Sequence, residues 1–519
     1  MNKAITYSMA AVLLTATTCS LAGSCQSPSA FTGQAAINTV NATRQSAEDQ
    51  KILHLLNRMT FGATPEDIAL VKNIGIDEYI RQQLDPRSIP QNQDLNQMVA
   101  DLPVISGDPM NLMMTYSRQV LMEKAKSDGA QDKEAIQKQI GKTYQGLHQQ
   151  MLMAKLRRNI ESPRQLEEVM TDFWYNHFNV AANKGAMDRF LCGSFEQQAI
   201  RPYALGNFRD LLEATAHHPA MLFYLDNWQN TAPNSAGSRG KLKGINENYA
   251  RELMELHTLG VDGGYTQHDV VALAHILTGL GFAPPKAVAL GRVQPGVFGS
   301  YFDRNRHDFG DKVLLGRTIK GNGESEIEQA LDMLAMHPST AHHISYQLAQ
   351  YFVSDNPPEA LVNRLSQTYL HTGGNIKAVM NELLHSPEFW DSKNVAVKYK
   401  SPYRYAVSVV RTSGAQITDY KKLAGFVASL GQPIYGCLTP DGYKNTQEAW
   451  LNPDGLLKRI AFAANVARGG LGQVPDNELN RVEASVAPLL GKKTTTALAS
   501  AREPQKAGLM LGSPEFMTY

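Results

Sequence analysis

The chain has 519 residues, 43% hydrophobic and 19% charged, with 50 basic against 49 acidic side chains. So even a balance argues against a nucleic-acid binder, which needs a basic surplus, and the composition is that of an ordinary globular protein. Four cysteines are too few for a disulfide scaffold.

Taken in order, the chain opens on an export signal. Lys3 supplies the positive n-region and 4–16 a short, mostly apolar core, so residues 1–24 read as a signal peptide. Two processing readings compete. Ser20-Leu-Ala22 fits a signal peptidase I site, whereas Ala22-Gly-Ser-Cys25 approximates a lipobox that would acylate Cys25. Residues 25–47, rich in Ser, Thr, Asn and Gln, read as a flexible tether. The expected location is the periplasm, the outer membrane or the cell exterior, with membrane contact only through an N-terminal lipid. No later run of 18 apolar residues predicts an internal span. With Cys25 acylated, Cys192 and Cys437 are an even pair, and an oxidising compartment would allow them to bridge.

From residue 48 the chain reads helix after helix. This predicts one mainly α-helical domain over 48–519 with minor β-hairpin or loop structure. Thr64-Pro65 has the form of a helix start, a capping residue before a proline at the first helical position. The form recurs at Ser162, His218, His337, Ser386, Ser401 and Ser513, each followed by proline, so His218 and His337 are read as caps. SPEF occurs at 386–389 and 513–516 and reads as a helix-to-helix corner. Residues 105–135, broken by Gly107, Pro109 and Gly129, read as a mobile insertion, and a long helix is expected from about 136 to 160. The Pro-, Gly- and aromatic-rich stretch 284–312 reads as a hairpin or an ordered loop, ending at His307-Asp308.

Residues 244–279 gather the most chemistry. On a helical projection Glu247, Asn248, Arg251, Glu252, Glu255 and Thr258 share one polar arc, and Tyr249, Ala250, Leu253, Met254 and Leu256 fill the other. His257 falls within the apolar arc and is expected to be buried and hydrogen-bonded. Asn246 is placed to cap the helix, and a Gly- and Lys-bearing loop feeds its start. A Thr266–Asp269 capping pair opens a second, largely apolar helix that should be buried. The polar arc is therefore expected to line a pocket. Arg251–Glu255 pairing on a solvated face is the plainer alternative.

NENYARELMELHTLGVDGGYTQ at 246–267 resembles the signature of a bacterial family catalogued as domain of unknown function 1800. Similar segments follow the same order: LLNRMTFGATP at 55–65, SPRQLEEVMTDFWYNHF at 162–178, HPAMLFYLDN at 218–227 and HDFGDKVLLG at 307–316. The resemblance covers roughly residues 50–517. One departure stands out: Tyr175 occupies a position where the family usually has histidine. The resemblance implies a secreted sulfatase- or phosphatase-like protein partner, because members are often encoded beside such proteins.

No HExxH, CxxC pair, GxSxG or Walker lysine is present. Two functions remain open. One is a hydrolase of an extracytoplasmic polymer or conjugate, with Glu252, Glu255, His307 and Asp308 as catalytic candidates and room for a divalent metal among the acids. Asn248, Arg251, Asp226, Asn227 and His177 would then bind. The other is a non-catalytic binding or assembly protein. Convergence of His177, His307 and the Glu252–Glu255 face would favour the enzyme, and their dispersal the assembly protein.

Overall fold

A capping side chain takes up a free N–H of the first helical turn, and a proline there needs none. The computed structural model describes residues 47–519 apart from 131, 241 and 243. It has this arrangement at Thr64, His218, His337, Ser386, Ser401 and Ser513. The two histidines cap with Nδ1, each accepting an N–H at 3.2 Å. After Ser162-Pro163 the helix starts later, at Gln165, and Ser162 Oγ accepts instead from the N–H of Arg164. Both SPEF copies form one-turn helices with a serine cap on the phenylalanine N–H. Cys25 and the export signal lie outside the described residues, as does nearly all of the expected tether.

The chain divides into Met1–Glu48 and Asp49–Tyr519. The second unit is mainly α-helical. The helices that position the site are α1 (49–59), α2 (Lys133–Glu161), α3 (Gln165–His177), α4 (Asn248–Glu255), α5 (Gln267–Ile276), α6 (Ser325–Ala335), α7 (Pro338–Phe352) and α8 (Pro402–Ser413). α8 is buried at every residue, and α2 packs along it. Two arginines of α8 reach the end of α1 and the loop after it. Arg404 Nη2 donates to the carbonyls of Asn57, Arg58 and Thr60, and Arg411 donates to that of Gly62 and to Asp67. Gly62 itself has φ +140, and a Cβ there would meet Ser408 of α8 at 2.7 Å.

The segment expected as a mobile insertion contains the helices Pro109–Tyr116 and Arg118–Ser127. Their Met110, Leu112, Met113 and Leu121 are buried. Helical spacing of these apolar residues outweighs the breakers around them. Short antiparallel pairs make up the minor β structure. β1 (Leu280–Phe282) pairs with β2 (Ser300–Phe302), and β3 (Lys312–Leu314) with β4 (Arg317–Ile319). The stretch 284–312 is thus a loop carried between β1 and β3, and β2 closes it back on β1.

Candidate functional site

α4 begins as its sequence requires, with Asn246 Oδ1 accepting the N–H of Asn248 at 2.9 Å. Tyr249, Ala250, Leu253 and Met254 are buried. The helix stops at Glu255, two residues short of the histidine. Gly260, at φ +85, completes the turn, and a Cβ there would stand 3.0 Å from His343 Nδ1. Because the chain has left the helix, the projection misplaces Thr258, which it put on the polar arc. Thr258 is buried and donates to the Leu253 carbonyl. His257 is buried as expected, but its Nε2 has no hydrogen-bond partner among the described residues. Its surroundings are the rings of Phe178, His177 and Tyr249, which pack without offering an acceptor. Burial holds it well below the ordinary histidine range, and His177 and His343 add to this.

The polar arc does three separate things. Asn248 Nδ2 donates to the Leu225 carbonyl at 3.1 Å. Arg251 forms a surface group with Glu247 at 3.0 Å, Gln267 at 2.9 Å and, more loosely, Glu255 at 3.6 Å. Glu252 is half-buried and makes no hydrogen bond or ion pair among the described residues. Burial, and then Glu255, raise its carboxyl above the usual range.

His307 and Asp308 belong to a different place. His307 Nε2 meets Glu326 of α6 at 3.0 Å, and its Nδ1 donates to the Thr278 carbonyl at 2.8 Å. Lys312 reaches the other oxygen of Glu326 at 2.6 Å. Asp308 pairs with His275 at 2.7 Å and accepts the N–H of Gly310. The His307–Glu326–Lys312 group is a buried tie between β3 and α6, and the half-buried His275–Asp308 pair adds α5. Asn227 is likewise structural, donating to the carbonyls of Leu277 and Leu280. Asp226, in the left-handed region at φ +60, accepts from Gln229. Nearby Asp188 is fully buried, neither carboxyl oxygen being bonded among the described residues, and burial raises its pKa far above normal. The expected bridge between Cys192 and Cys437 is not formed. Both are buried free thiols, and each Sγ lies 3.7 Å from a carbonyl of its own, Val180 and Thr439 respectively. An even count carries no geometry.

A cleft of about 400 Å³ opens between α3, the end of α4, α7, the start of α8 and the loop 432–450. His177 and Glu255 both line it, and His307 and Asp308 do not. His177 Nδ1 is bonded to Gln347 of α7 at 2.8 Å and Nε2 to the His257 carbonyl at 3.1 Å. Burial, and then His343, hold its pKa down to about 3. Beneath the floor, Lys155 of α2 bonds Asp172 at 2.9 Å and Glu196 at 2.7 Å. Its ammonium is ringed by Tyr175, Tyr403 and Tyr435 at 5.3–5.7 Å. Tyr175 donates to the Val180 carbonyl at 2.8 Å. On the far wall Asn176 clamps the backbone of Tyr443, donating to its carbonyl at 2.9 Å and accepting its N–H at 2.7 Å. Among the described residues no three His, Cys, Asp or Glu are arranged to hold a metal ion.

A family model described as a protein of unknown function (DUF1800) matches residues 54–518. The chain belongs to the DUF1800 family. No curated protein and no solved structure matches it. The DUF1800 signature helix α4 therefore gives one residue, Glu255, to the cleft wall and engages most of its other polar groups elsewhere. Tyr443, Trp450 and Asp441 were not singled out from sequence. Their loop, LGQPIYGCLTPDGY followed by AWLNP, lies within the residues that the family model matches.

Proposed function

We propose that this chain is an exported envelope protein that binds a segment of an extracytoplasmic polymer or conjugate in the cleft. On this reading it is a holding or assembly component, and the chemistry lies with a partner. The observation that carries it is the state of the lining groups. Among the described residues every charged side chain of the cleft wall has a partner in the chain: Lys155 and Arg404 in buried groups, Glu255, Asp441 and Lys444 in partly exposed pairs. Preformed, internally satisfied walls favour binding, because little ordering remains to oppose it. Catalysis by His307 and Asp308 finds no support in their position, remote from the cleft lining. The secreted sulfatase- or phosphatase-like partner implied by family resemblance would complete the system, and residues 1–24 support export.

The test is cosedimentation of the mature protein with purified envelope polymers, with soluble products assayed in parallel. Binding without release of fragments is the expected result, and it should be lost in Trp450→Ala. Release of fragments by the pure protein would overturn the reading. One observation favours that hydrolytic alternative: Glu252 is a half-buried carboxyl that burial shifts toward the protonated form, as a general acid requires. Glu252→Gln would then stop release without lowering the melting temperature.

A further inference from the structure

The polar lining of the cleft is neutral in effect. Asp441 bonds Lys444 at 2.7 Å, Asp172 is held by Lys155, and Glu255 faces Arg251. Arg404 is taken up by three carbonyls and the Tyr351 hydroxyl. His177 and His343 are both held below the ordinary histidine range, chiefly by burial. No unpaired charge is offered to a phosphate, a carboxylate or an ammonium group.

Free amide groups are offered instead. Neutral His177 donates its Nε2–H to the His257 carbonyl, so its Nδ1 accepts from the Gln347 NH₂ and the amide oxygen of Gln347 is left open. Gln432 uses Oε1 on the Tyr403 N–H and leaves its NH₂ unengaged. Gln350 bonds through its NH₂ and leaves Oε1 open. None of these atoms is among the buried groups lacking a partner, so all reach solvent. Planar amides present donors and acceptors in one plane without charge.

Flat apolar surface stands beside them. Trp450 is half-buried, and its indole N–H is satisfied by the Lys444 carbonyl at 2.7 Å. What remains of it for a ligand is the ring. Tyr443 lies 6.0 Å away between centroids, its hydroxyl fixed on the Pro433 carbonyl at 2.8 Å. Exposed Val261 extends the apolar margin of the cleft.

We infer that the cleft takes a neutral oligosaccharide, one sugar ring stacking on Trp450 with Tyr443, tilted at 59° to it, against the sugar's edge, while its hydroxyls meet the amides of Gln347, Gln350 and Gln432. A pyranose pairs an apolar C–H face with a rim of uncharged hydroxyls, and this wall matches both parts. The inference rests on the binding reading above and names its ligand class.

Isothermal titration of the mature full-length protein tests it, using short β-1,4-linked N-acetylglucosamine and glucose oligomers as probes, with polyglutamate, polylysine and inorganic phosphate as comparators. A neutral oligomer should bind, with an affinity nearly unchanged from low to high salt, since no ion pair is formed. Trp450→Ala should weaken it about tenfold or more at an unchanged melting temperature, and Trp450→Phe should recover part of the loss. Failure of every neutral oligomer, or equal binding by Trp450→Ala, overturns the sugar assignment. If a charged comparator binds and Trp450→Ala removes that binding, the cleft remains a binding site and only the ligand class is wrong. If the envelope polymers also fail to cosediment, the binding reading falls with it.

Discussion

Glu326, nineteen residues along the chain from His307, decides what that histidine does. Its side chain is fully buried, and its two oxygens receive His307 Nε2, the Gly323 N–H and Lys312 Nζ. An ammonium as buried as that of Lys312 needs this counter-charge. Glu326→Gln keeps the shape and removes it, so a loss of about 3–5 kcal/mol is expected. Denaturant unfolding measures the loss, and polymer binding by the folded variant should be unaltered. Unchanged stability with lost function would instead return His307 to the list of acting residues. The His307-Asp308 pair reads as a site in sequence because its partner lies on the next helix. Nothing local distinguishes an imidazole engaged by a buried glutamate from one open to substrate.

Among elements, the join between α1 and α8 carries the plainest chemistry. A helix ends with carbonyls that lack intrahelical partners and a partial negative charge. Arg404 answers both at the end of α1, and its guanidinium also lies 4.1 Å from the Tyr519 ring centroid. Lysine keeps the charge but has no planar group to lie over Tyr519 and no second nitrogen to reach the Tyr351 hydroxyl while the first serves the carbonyls. Arg404→Lys should therefore cost about 3 kcal/mol and speed amide exchange in the last turn of α1. Exchange that is unchanged would show that the fork is dispensable. The starts of these helices were legible in the sequence because a cap and a proline act within one turn. The end of α4 was less so. The projection carried His257 and Thr258 along the helix, whereas the turn through Gly260 packs against His343 of α7, a contact between distant parts of the chain. The cleft was legible least of all. Glu255 could be singled out, but Asn176, Tyr443 and Trp450, which face it, become neighbours only after folding.

Across the whole molecule, buried neutral histidines tie stability to pH. Burial lowers His54 to about 4, and His177 and His218 to about 3. In the unfolded chain each titrates near its ordinary value, about 6.5. Below that pH the unfolded state takes up protons that the folded state refuses. The stability these groups contribute is thus complete above about pH 6.5 and falls as the pH drops toward their folded values, by at most about 1.4 kcal/mol per unit for each. Denaturation midpoints should decline from pH 7 to pH 5, and a flat profile would show that these imidazoles are not sealed in. The walls of the cleft have a different consequence, one of timing. They come from residues near 172–179, 255–261, 343–351, 399–404 and 432–450, and from Tyr519. No fragment of the chain holds more than part of them, so the ability to grip a ligand arises only when the last of these segments docks. A partly folded chain cannot be loaded early, and occupancy of the cleft would report completed folding as directly as it reports the ligand.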